Sequence, residues 1–263
     1  MKTVISVLAC VCVAACSTPG YRALNPSCIE DKGLAKYQRD GHQDTTYIVA
    51  VLAGRSPREA ALLSFYNQAA DDLAMRFSAP NVAVWGSVPG AWGYRHRINA
   101  VLHSLHGGDV GAVQERRDHL AGLIAASDPD SVDHAWQTGL LIHAFGDSFA
   151  NTRDDGSAYG GLYGHLFDGH APDIVANRPN LYLDYVRALY AALETSEANT
   201  DGFAAFTGLV AAVGEGADVD AYRQAIFSGR EISTPAPDLR CDTLAGRLNM
   251  REVSAFLREI DPG

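Results

Sequence analysis

The chain has 263 residues, of which 47% are hydrophobic, and a formal net charge of −10. This length supports one sizeable core or two small ones. The acidic balance argues against nucleic acid as an electrostatically steered partner, because phosphate-binding surfaces are usually basic, but it leaves room for a local site that cleaves phosphate esters with metal ions.

The N-terminus has the pattern of a secretion signal that ends in a lipidated cysteine. Lys2 supplies a positive charge, residues 4–13 form an apolar stretch too short to span a bilayer, and two alanines precede Cys16. Small side chains at those positions suit the cleft of a signal peptidase. We therefore expect residues 1–15 to be removed and Cys16 to be acylated. Cleavage at the rival Cys10 would leave a very short apolar region.

The lipid anchor predicts where the protein is found. Ser17, rather than an aspartate, follows the cysteine, which in such lipoproteins usually indicates the outer membrane. A diacylated cysteine anchors a protein stably, whereas a single acyl chain binds only marginally. We expect an envelope protein that faces the periplasm, with residues 16–40 as a lipidated tether. In that oxidising compartment Cys28 and Cys241 either form one disulfide or remain two buried thiols.

Residues 41–263 are predicted to form one all-α domain, because hardly any segment alternates with the period of a strand. The run 56–59 is typical of a capped helix start, with Ser56 as the N-cap and Glu59 closing a capping box, and this helix is expected to end before Pro80. The other helices are predicted at about 43–54, 95–106, 109–126, 130–151, 181–196, 201–214, 218–228 and 241–259. Residues 81–94 and 151–180 are predicted as long ordered loops, and loops of that length commonly carry function.

The most informative stretch lies on the helix predicted at 130–151. His143 and Asp147 are four residues apart, so they lie on one face of this helix, and their neighbours in sequence are mostly apolar. A buried histidine and a buried carboxylate need partners, because an unpaired buried charge is costly. Two interpretations remain open: the two residues pair with each other or with other side chains, or both of them bind a cation.

Further histidines and carboxylates occur at the start of the first predicted helix, within the helix that begins at Ser56, in and around the helix predicted at 95–106, and in the glycine-rich loop at 151–180. Imidazole nitrogen and carboxylate oxygen atoms contributed by several helices are ligands that suit zinc. These candidates are His42, Asp44, Asp71, Asp72, His96, His103, His106, His165, Asp168, His170 and Asp173.

Together these motifs resemble the bacterial zinc-dependent phospholipases C and the S1/P1-type nucleases, and more closely an uncharacterised bacterial branch of that superfamily. The resemblance rests on Asp44, Gln68-x-x-Asp71, His143-x-x-x-Asp147 and Gly164-His165, and it covers most of residues 42–190. In this superfamily an all-α fold holds three zinc ions that hydrolyse phosphoric esters. The resemblance therefore implies a zinc-dependent hydrolase of phospholipids or phosphodiesters.

The resemblance also implies roles for individual residues. The implied zinc ligands are His42, Asp71, His103, His143, Asp147 and His165, and the further candidates are Asp72, His96 (in place of His103), His170 and Asp173. Asp147 is implied to bridge two ions, because a carboxylate has one oxygen for each. Asp71 or Asp72 is implied to balance charge or to act as the general base on a water molecule. Asp71 and Asp147 are therefore the predicted catalytic residues, with one to three zinc ions.

The sequence departs from that superfamily in three ways. An acylated Cys16 replaces the N-terminal tryptophan that binds metal in those enzymes, no H-x-x-x-E helix follows His170, and Asn151 stands where relatives often carry histidine. These departures favour one or two ions over three. The alternative is a non-catalytic envelope lipoprotein in which the same residues hold a structural ion or a polar network. Trp85 and Trp92 either flank the site or simply pack within the aromatic loop.

Overall fold

A computed structural model describes residues 37–71, 77, 79, 82, 90–127, 132–161, 174–214, 218–232, 244 and 247–261. Three quarters of these residues are helical and none of them forms a strand, which confirms the predicted all-α class. Two isolated antiparallel bridges occur in this part of the chain. Thr152 pairs with Ala158 within one loop, and Gly160 of the same loop pairs with His106. Within this part of the chain, no helix is long and apolar enough to cross a membrane.

Nine α-helices are defined in the described part of the chain. They are α1 (Thr45–Leu52), α2 (Pro57–Ala69), α3 (Trp92–His96), α4 (Val110–Ala126), α5 (Val132–Ala150), α6 (Pro179–Leu193), α7 (Thr200–Val213), α8 (Val219–Ile232) and α9 (Met250–Glu259). Two π-helical segments, Tyr37–Asp44 before α1 and Arg97–Leu102 after α3, extend the helices that they adjoin. A 3₁₀ turn at Val175–Asn177 leads into α6.

The start of α2 agrees with the prediction, whereas its end does not. The Ser56 hydroxyl accepts a hydrogen bond from the Glu59 amide at 3.2 Å, and the Glu59 carboxylate accepts one from the Ser56 amide at 3.3 Å, which completes the capping box. The helix ends at Ala69 rather than just before Pro80. Beyond that end, Asp71 donates its amide hydrogen to the Gln68 carbonyl in a turn.

Two other predicted boundaries are wrong. The last helix begins at Met250 rather than at residue 241, because the Asn249 side chain accepts a hydrogen bond from the Glu252 amide at 2.9 Å and acts as an N-cap. The helix predicted at 95–106 begins earlier, at Trp92, and changes to π-helical geometry after His96. The loop predicted at 81–94 is therefore helical at its C-terminal end.

The core is centred on the crossing of α2 and α5, which make the most extensive contact between elements in the described residues. The two helices approach closely at Gly139, where a Cβ atom would lie only 2.4 Å from the Cβ atom of Tyr66. Phe65, Tyr66 and Phe145 from these helices are fully buried. The close crossing places the C-terminal end of α2 beside the second half of α5.

We expect Gly139→Ala to destabilise the protein by about 1–3 kcal/mol, because the added methyl group must separate α2 from α5. Gly122→Ala is the matched control, since a Cβ atom at Gly122 on α4 meets nothing within 4 Å. The control should be neutral or more stable by up to about 1 kcal/mol, because alanine restricts the unfolded chain. Urea unfolding measures both changes, and equal stability of the two variants would contradict the close crossing.

Candidate metal centre

Helix α5 supplies two adjacent groups of the site. His143 and Asp147 are one helical turn apart, and they are 0% and 7% exposed, respectively. The Nε2 atom of His143 lies 3.4 Å from Oδ2 of Asp147. The structure thus confirms that the pair lies on a buried face of the helix.

The first π-helical segment, Tyr37–Asp44, places His42 beside this pair. Its Nε2 atom lies 3.1 Å from Oδ1 of Asp147, and its ring centroid lies 4.5 Å from that of His143. The ring packs against α5 at Gly146, where a Cβ atom would be only 3.1 Å from Cε1 of His42. A glycine one residue before Asp147 therefore allows His42 to approach the carboxylate.

The second π-helical segment, Arg97–Leu102, ends at His103 and presents its ring from another direction. The His103 amide donates to the Ile98 carbonyl five residues earlier, at 2.9 Å. Its Nδ1 atom lies 3.0 Å from Oδ2 of Asp147. The two oxygen atoms of Asp147 therefore face different histidines: Oδ1 faces His42, and Oδ2 faces His103 and His143.

Helix α5 also holds the turn that follows His103. Ser104 has a φ of 49°, in the left-handed region that non-glycine residues rarely adopt. Its hydroxyl donates to the Ala144 carbonyl at 2.7 Å, and the Asn151 side chain donates to the His103 carbonyl at 2.9 Å. These two hydrogen bonds keep the strained turn in place and so fix the position of the His103 ring.

Asp71 completes the cluster from the turn after α2. One of its oxygen atoms lies 3.6 Å from His42 Nε2, and the other lies 3.8 Å from both His103 Nδ1 and His143 Nε2. These distances exceed hydrogen-bond length, in contrast to those of Asp147. Asp71 also stands at a helix C-terminus, where the partial negative charge of the helix disfavours a carboxylate unless a cation is near.

Hydrogen bonds around the cluster fix which ring nitrogens carry protons. The Asn67 amide nitrogen donates a hydrogen bond to the His42 carbonyl at 3.2 Å. The Oδ1 atom of Asn67 therefore faces Nδ1 of His143 and accepts a hydrogen bond from it at 3.2 Å. The Nε2 atom of His103 donates to the Phe77 carbonyl at 2.9 Å. Such outer bonds are typical of histidines that bind metal, because they set the tautomer and orient the ring.

The remaining ring nitrogens of the same two histidines point at each other. His143 Nε2 and His103 Nδ1 are 3.1 Å apart. In the neutral rings both atoms carry lone pairs, because the opposite nitrogen of each ring holds the proton. Two facing lone pairs at this distance repel each other unless a proton or a metal ion lies between them.

The charges in the cluster favour a cation. Burial tends to raise the pKa of Asp147, but its electrostatic interactions and hydrogen bonds with the surrounding histidines hold it well below its usual value. Burial likewise opposes protonation of His103, and the hydrogen bond and charge of Asp147, with the charge of Asp71, outweigh it and raise the pKa of His103 to about 9. The same causes raise the pKa of His42, whereas burial lowers that of His143.

The five donor groups have the spacing of a coordination shell. The histidine nitrogens lie 3.0 to 3.8 Å from the aspartate oxygens that face them. Tetrahedral zinc with bonds of about 2.0–2.1 Å to nitrogen and oxygen has ligand atoms about 3.3 Å apart. His42, His143 and Asp147, and likewise Asp71, His103 and His143, each form a group of ligand atoms that could hold a metal ion. The described residues thus form a candidate metal centre.

The structure brings together five of the six predicted ligands. They are His42, Asp71, His103, His143 and Asp147. His103, rather than the alternative His96, belongs to the cluster, and His96 is exposed at the end of α3. Other residues singled out in the sequence lie outside the described residues, among them Cys16, Cys28, Asp72, Trp85, His165, Asp168, His170, Asp173 and Cys241.

Sequence reasoning missed the groups that orient the ligands. Asn67 precedes Asp71 by four residues, the same spacing as between His143 and Asp147, and this repeated spacing in the sequence was an available signal. The roles of the Phe77 carbonyl and of the left-handed turn at Ser104 could not be inferred from any pattern in the sequence.

Comparisons with models of protein families, with curated proteins and with solved structures found no match to this chain.

Proposed function

We propose that the protein is a zinc-dependent hydrolase of phosphoric esters, held at the bacterial envelope by a lipid on Cys16. The observation that carries the proposal is the composition of the cluster, in which three histidines and two aspartates from four parts of the chain form two groups of possible metal ligands that share His143. The predicted signal ending at Cys16 supports the envelope location, and the spaced motifs that resemble zinc-dependent phospholipases C and S1/P1-type nucleases support the reaction class.

The donor set supports zinc and a single ion. Imidazole nitrogens and carboxylate oxygens without a thiolate suit zinc, and three imidazoles disfavour magnesium or calcium, which prefer oxygen ligands. The carboxylates of Asp71 and Asp147 together carry two negative charges. One divalent ion with three neutral histidines makes the cluster neutral, which is the arrangement that burial favours.

The two aspartates suit different tasks. The histidine side chains are 0 to 4% exposed, whereas those of Asp147 and Asp71 are 10% and 13% exposed, so solvent reaches the cluster from the carboxylate side. Asp147, within hydrogen-bond distance of two histidines, is held firmly and serves as an anchoring ligand. Asp71 lies farther from every histidine and is placed to take a proton from a water molecule on the open side.

A bound zinc ion would supply Lewis-acid chemistry, stabilising the charge that develops on the phosphoryl oxygens and promoting the ionisation of a water molecule. The chain's own residues do the rest. Asn67 and the Phe77 carbonyl keep His143 and His103 in the tautomers that present lone pairs to the cluster. Asp71 accepts the proton of the attacking water, and Asp147 holds the three imidazoles in place.

We expect zinc binding to release protons and to tighten as the pH rises. The pKa of His103 is raised to about 9, so this ring is protonated at neutral pH in the metal-free protein. Zinc binds only the neutral imidazole, so the affinity should rise about tenfold per pH unit for each displaced proton and level off above about pH 9. Calorimetry in buffers of different ionisation enthalpy counts these protons, and an affinity independent of pH would contradict the protonation described here.

The catalytic assignment is tested by Asp71→Asn, with Asp184→Asn on the exposed surface of α6 as the matched control. We expect Asp71→Asn to lower kcat on phosphodiesters or phospholipids by about 100-fold or more, the usual contribution of a general base. Its zinc content should stay close to that of the control, because four closer ligands remain. Both the zinc content and the rates are measured on the same preparations.

The second candidate function is a structural metal site, and the near-complete burial of the three histidines favours it. In that case zinc would stabilise the helices without any turnover. Zinc-loaded protein that hydrolyses neither phosphodiesters nor phospholipids across a broad panel would replace the hydrolase with this structural role. Protein without zinc would remove both proposals and leave a buried histidine–aspartate network.

A further inference from the structure

Helix α3, which continues into the π-helical segment before His103, presents an exposed surface. None of its five residues is buried, and Trp92 is 71% exposed, the highest value among the exposed large apolar side chains of the described residues. Arg95, His96 and Arg97 follow within one to two turns, half-buried or exposed. We call Trp92, Arg95, His96 and Arg97 the Trp92 patch.

The charge of the sequence around this patch is opposite to that of the chain as a whole. The net charge of the protein is −10, yet residues 73–108 contain neither aspartate nor glutamate, and their basic side chains are arginines and histidines. The acidic residues are therefore placed elsewhere in the sequence. A negatively charged surface would repel most of the protein and attract the Trp92 patch.

We propose that the Trp92 patch docks on the surface of a phospholipid bilayer that contains anionic lipids. Tryptophan is enriched at membrane interfaces, where its ring lies at the level of the headgroups, and arginines near an anionic leaflet bind lipid phosphates. A single exposed tryptophan beside arginines matches this shallow and charged environment better than the larger apolar core of a stable protein interface.

The Trp92 patch lies, along the chain, between the proposed lipid anchor at Cys16 and the metal ligand His103. Helix α3 continues into the π-helical segment that ends at His103, so the patch is within about 16 Å of a metal-binding ring along the helix axis. At the other end, residues 17–36 separate the proposed lipid anchor from the described fold. Twenty residues span at most about 70 Å, so a lipid on Cys16 would keep the domain near the bilayer. The Trp92 patch supplies the orientation.

This inference rests on the proposed hydrolase, and it names phospholipids in the bilayer, rather than soluble phosphodiesters, as the substrate class. Docking through the patch would hold the metal centre at a fixed, short distance from the headgroups. The high local concentration of headgroups at the metal centre would then make tight binding of an individual ester molecule unnecessary. Docking itself requires neither metal nor turnover, so it can be measured separately from catalysis.

The test is co-sedimentation of the chain from residue 16 onward, carrying Cys16→Ser so that no acyl chain contributes. The protein is mixed, in the presence of a chelator, with phosphatidylcholine vesicles with and without phosphatidylglycerol. We expect binding to the anionic vesicles that weakens roughly tenfold in Trp92→Ala and roughly fivefold in Arg95→Gln. Leu209→Ala, which removes an exposed apolar side chain from α7, is the control and should bind as the parent does.

The outcomes separate this inference from the proposed function. Vesicle binding that depends on Trp92 supports the docking surface even where no ester is hydrolysed. If the parent does not bind, or if Trp92→Ala and Leu209→Ala bind equally, the bilayer is not the occupant, and a protein partner becomes the surviving explanation of the exposed patch. Hydrolysis of soluble phosphodiesters with unchanged vesicle binding in Trp92→Ala would keep the hydrolase and overturn the docking surface.

Discussion

Asp147→Asn is expected to lower the affinity for zinc by at least about 100-fold, because the loss of a group that only orients a metal ligand already costs 10- to 100-fold. The amide keeps the shape of the carboxylate but removes its charge. Its nitrogen would also turn a donor towards at least one of the histidines that now face Asp147 oxygens at 3.0 and 3.1 Å. Zinc binding is measured by competition with a chromophoric chelator.

The same substitution should change the titration of the neighbouring rings in the metal-free protein. Burial opposes the protonation of His103, and the hydrogen bond and charge of Asp147 are the largest effects that overcome it and raise its pKa to about 9. Without that charge, we expect the pKa of His103 to fall towards or below the ordinary value for histidine. NMR titration follows this shift. An unchanged pKa in Asp147→Asn would mean that the carboxylate does not hold the cluster together.

The control for Asp147→Asn is Asp184→Asn, which removes the same charge from the exposed end of a surface pair with Arg187. It should leave both the zinc affinity and the histidine titration unchanged, because a surface pair contributes little. If the two variants lost zinc equally, the effect would come from the net charge of the protein. The ligand role of Asp147 would then be rejected.

Zinc is also expected to raise the stability of the whole domain substantially. At a zinc concentration 1,000-fold above Kd, binding to the folded state alone adds about 4 kcal/mol to the free energy of unfolding. For a domain of this size, that corresponds to a rise in Tm of about 8–16 °C. The gain is expected because His42, Asp71, His103 and the α5 pair come from distant parts of the chain, and the unfolded chain cannot bring them together.

Differential scanning calorimetry with zinc and with a chelator measures this shift. His143→Gln is the matched variant, since its side chain can still hydrogen-bond with Asn67 while it loses the ring nitrogen that faces the cluster. Its Tm should be nearly the same with and without zinc. A large zinc-dependent rise in Tm in this variant would mean that the ion binds elsewhere. No rise in the parent would mean that the protein does not bind zinc.

Local patterns predicted much of the fold. The capping box at Ser56 and Glu59 and the apolar face of α5 act within a few residues, so they are visible in the sequence. The residues at which some helices begin and end were harder to predict from the sequence. The C-terminal helix starts late because Asn249 caps it, and α2 ends at Ala69, well before the proline expected to end it.

The ligands of the candidate site could be predicted from their residue types, but the hydrogen bonds and backbone turns that hold them in place could not. His143 and Asp147 could be paired from their spacing on one helix, and zinc-like chemistry then pointed to histidines elsewhere. His103 was preferred to His96 from the sequence, but the π-helical geometry and the left-handed turn at Ser104 that position its ring are not visible there. The roles of Asn67 and of the Phe77 carbonyl emerge only when separate elements pack together.

The glycines on α5 show how packing makes the site. Gly139 allows α2 to cross closely, and Gly146 allows His42 to lie against the helix between the turns that carry His143 and Asp147. Each position is small for the same reason: a neighbouring group occupies the space that a side chain would need. Neither glycine has a role that the sequence alone indicates, because glycine has no side chain that could take part in chemistry.

The most direct test of the metal centre is X-ray diffraction from crystals grown with zinc, measured on both sides of the zinc absorption edge. The account predicts an anomalous peak about 2.0–2.2 Å from Nε2 of His42, Nδ1 of His103 and Nε2 of His143, with a carboxylate oxygen of Asp147 at a similar distance. A zinc-equilibrated crystal with no peak in this cluster, and with the histidines still hydrogen-bonded to Asp147, would contradict it.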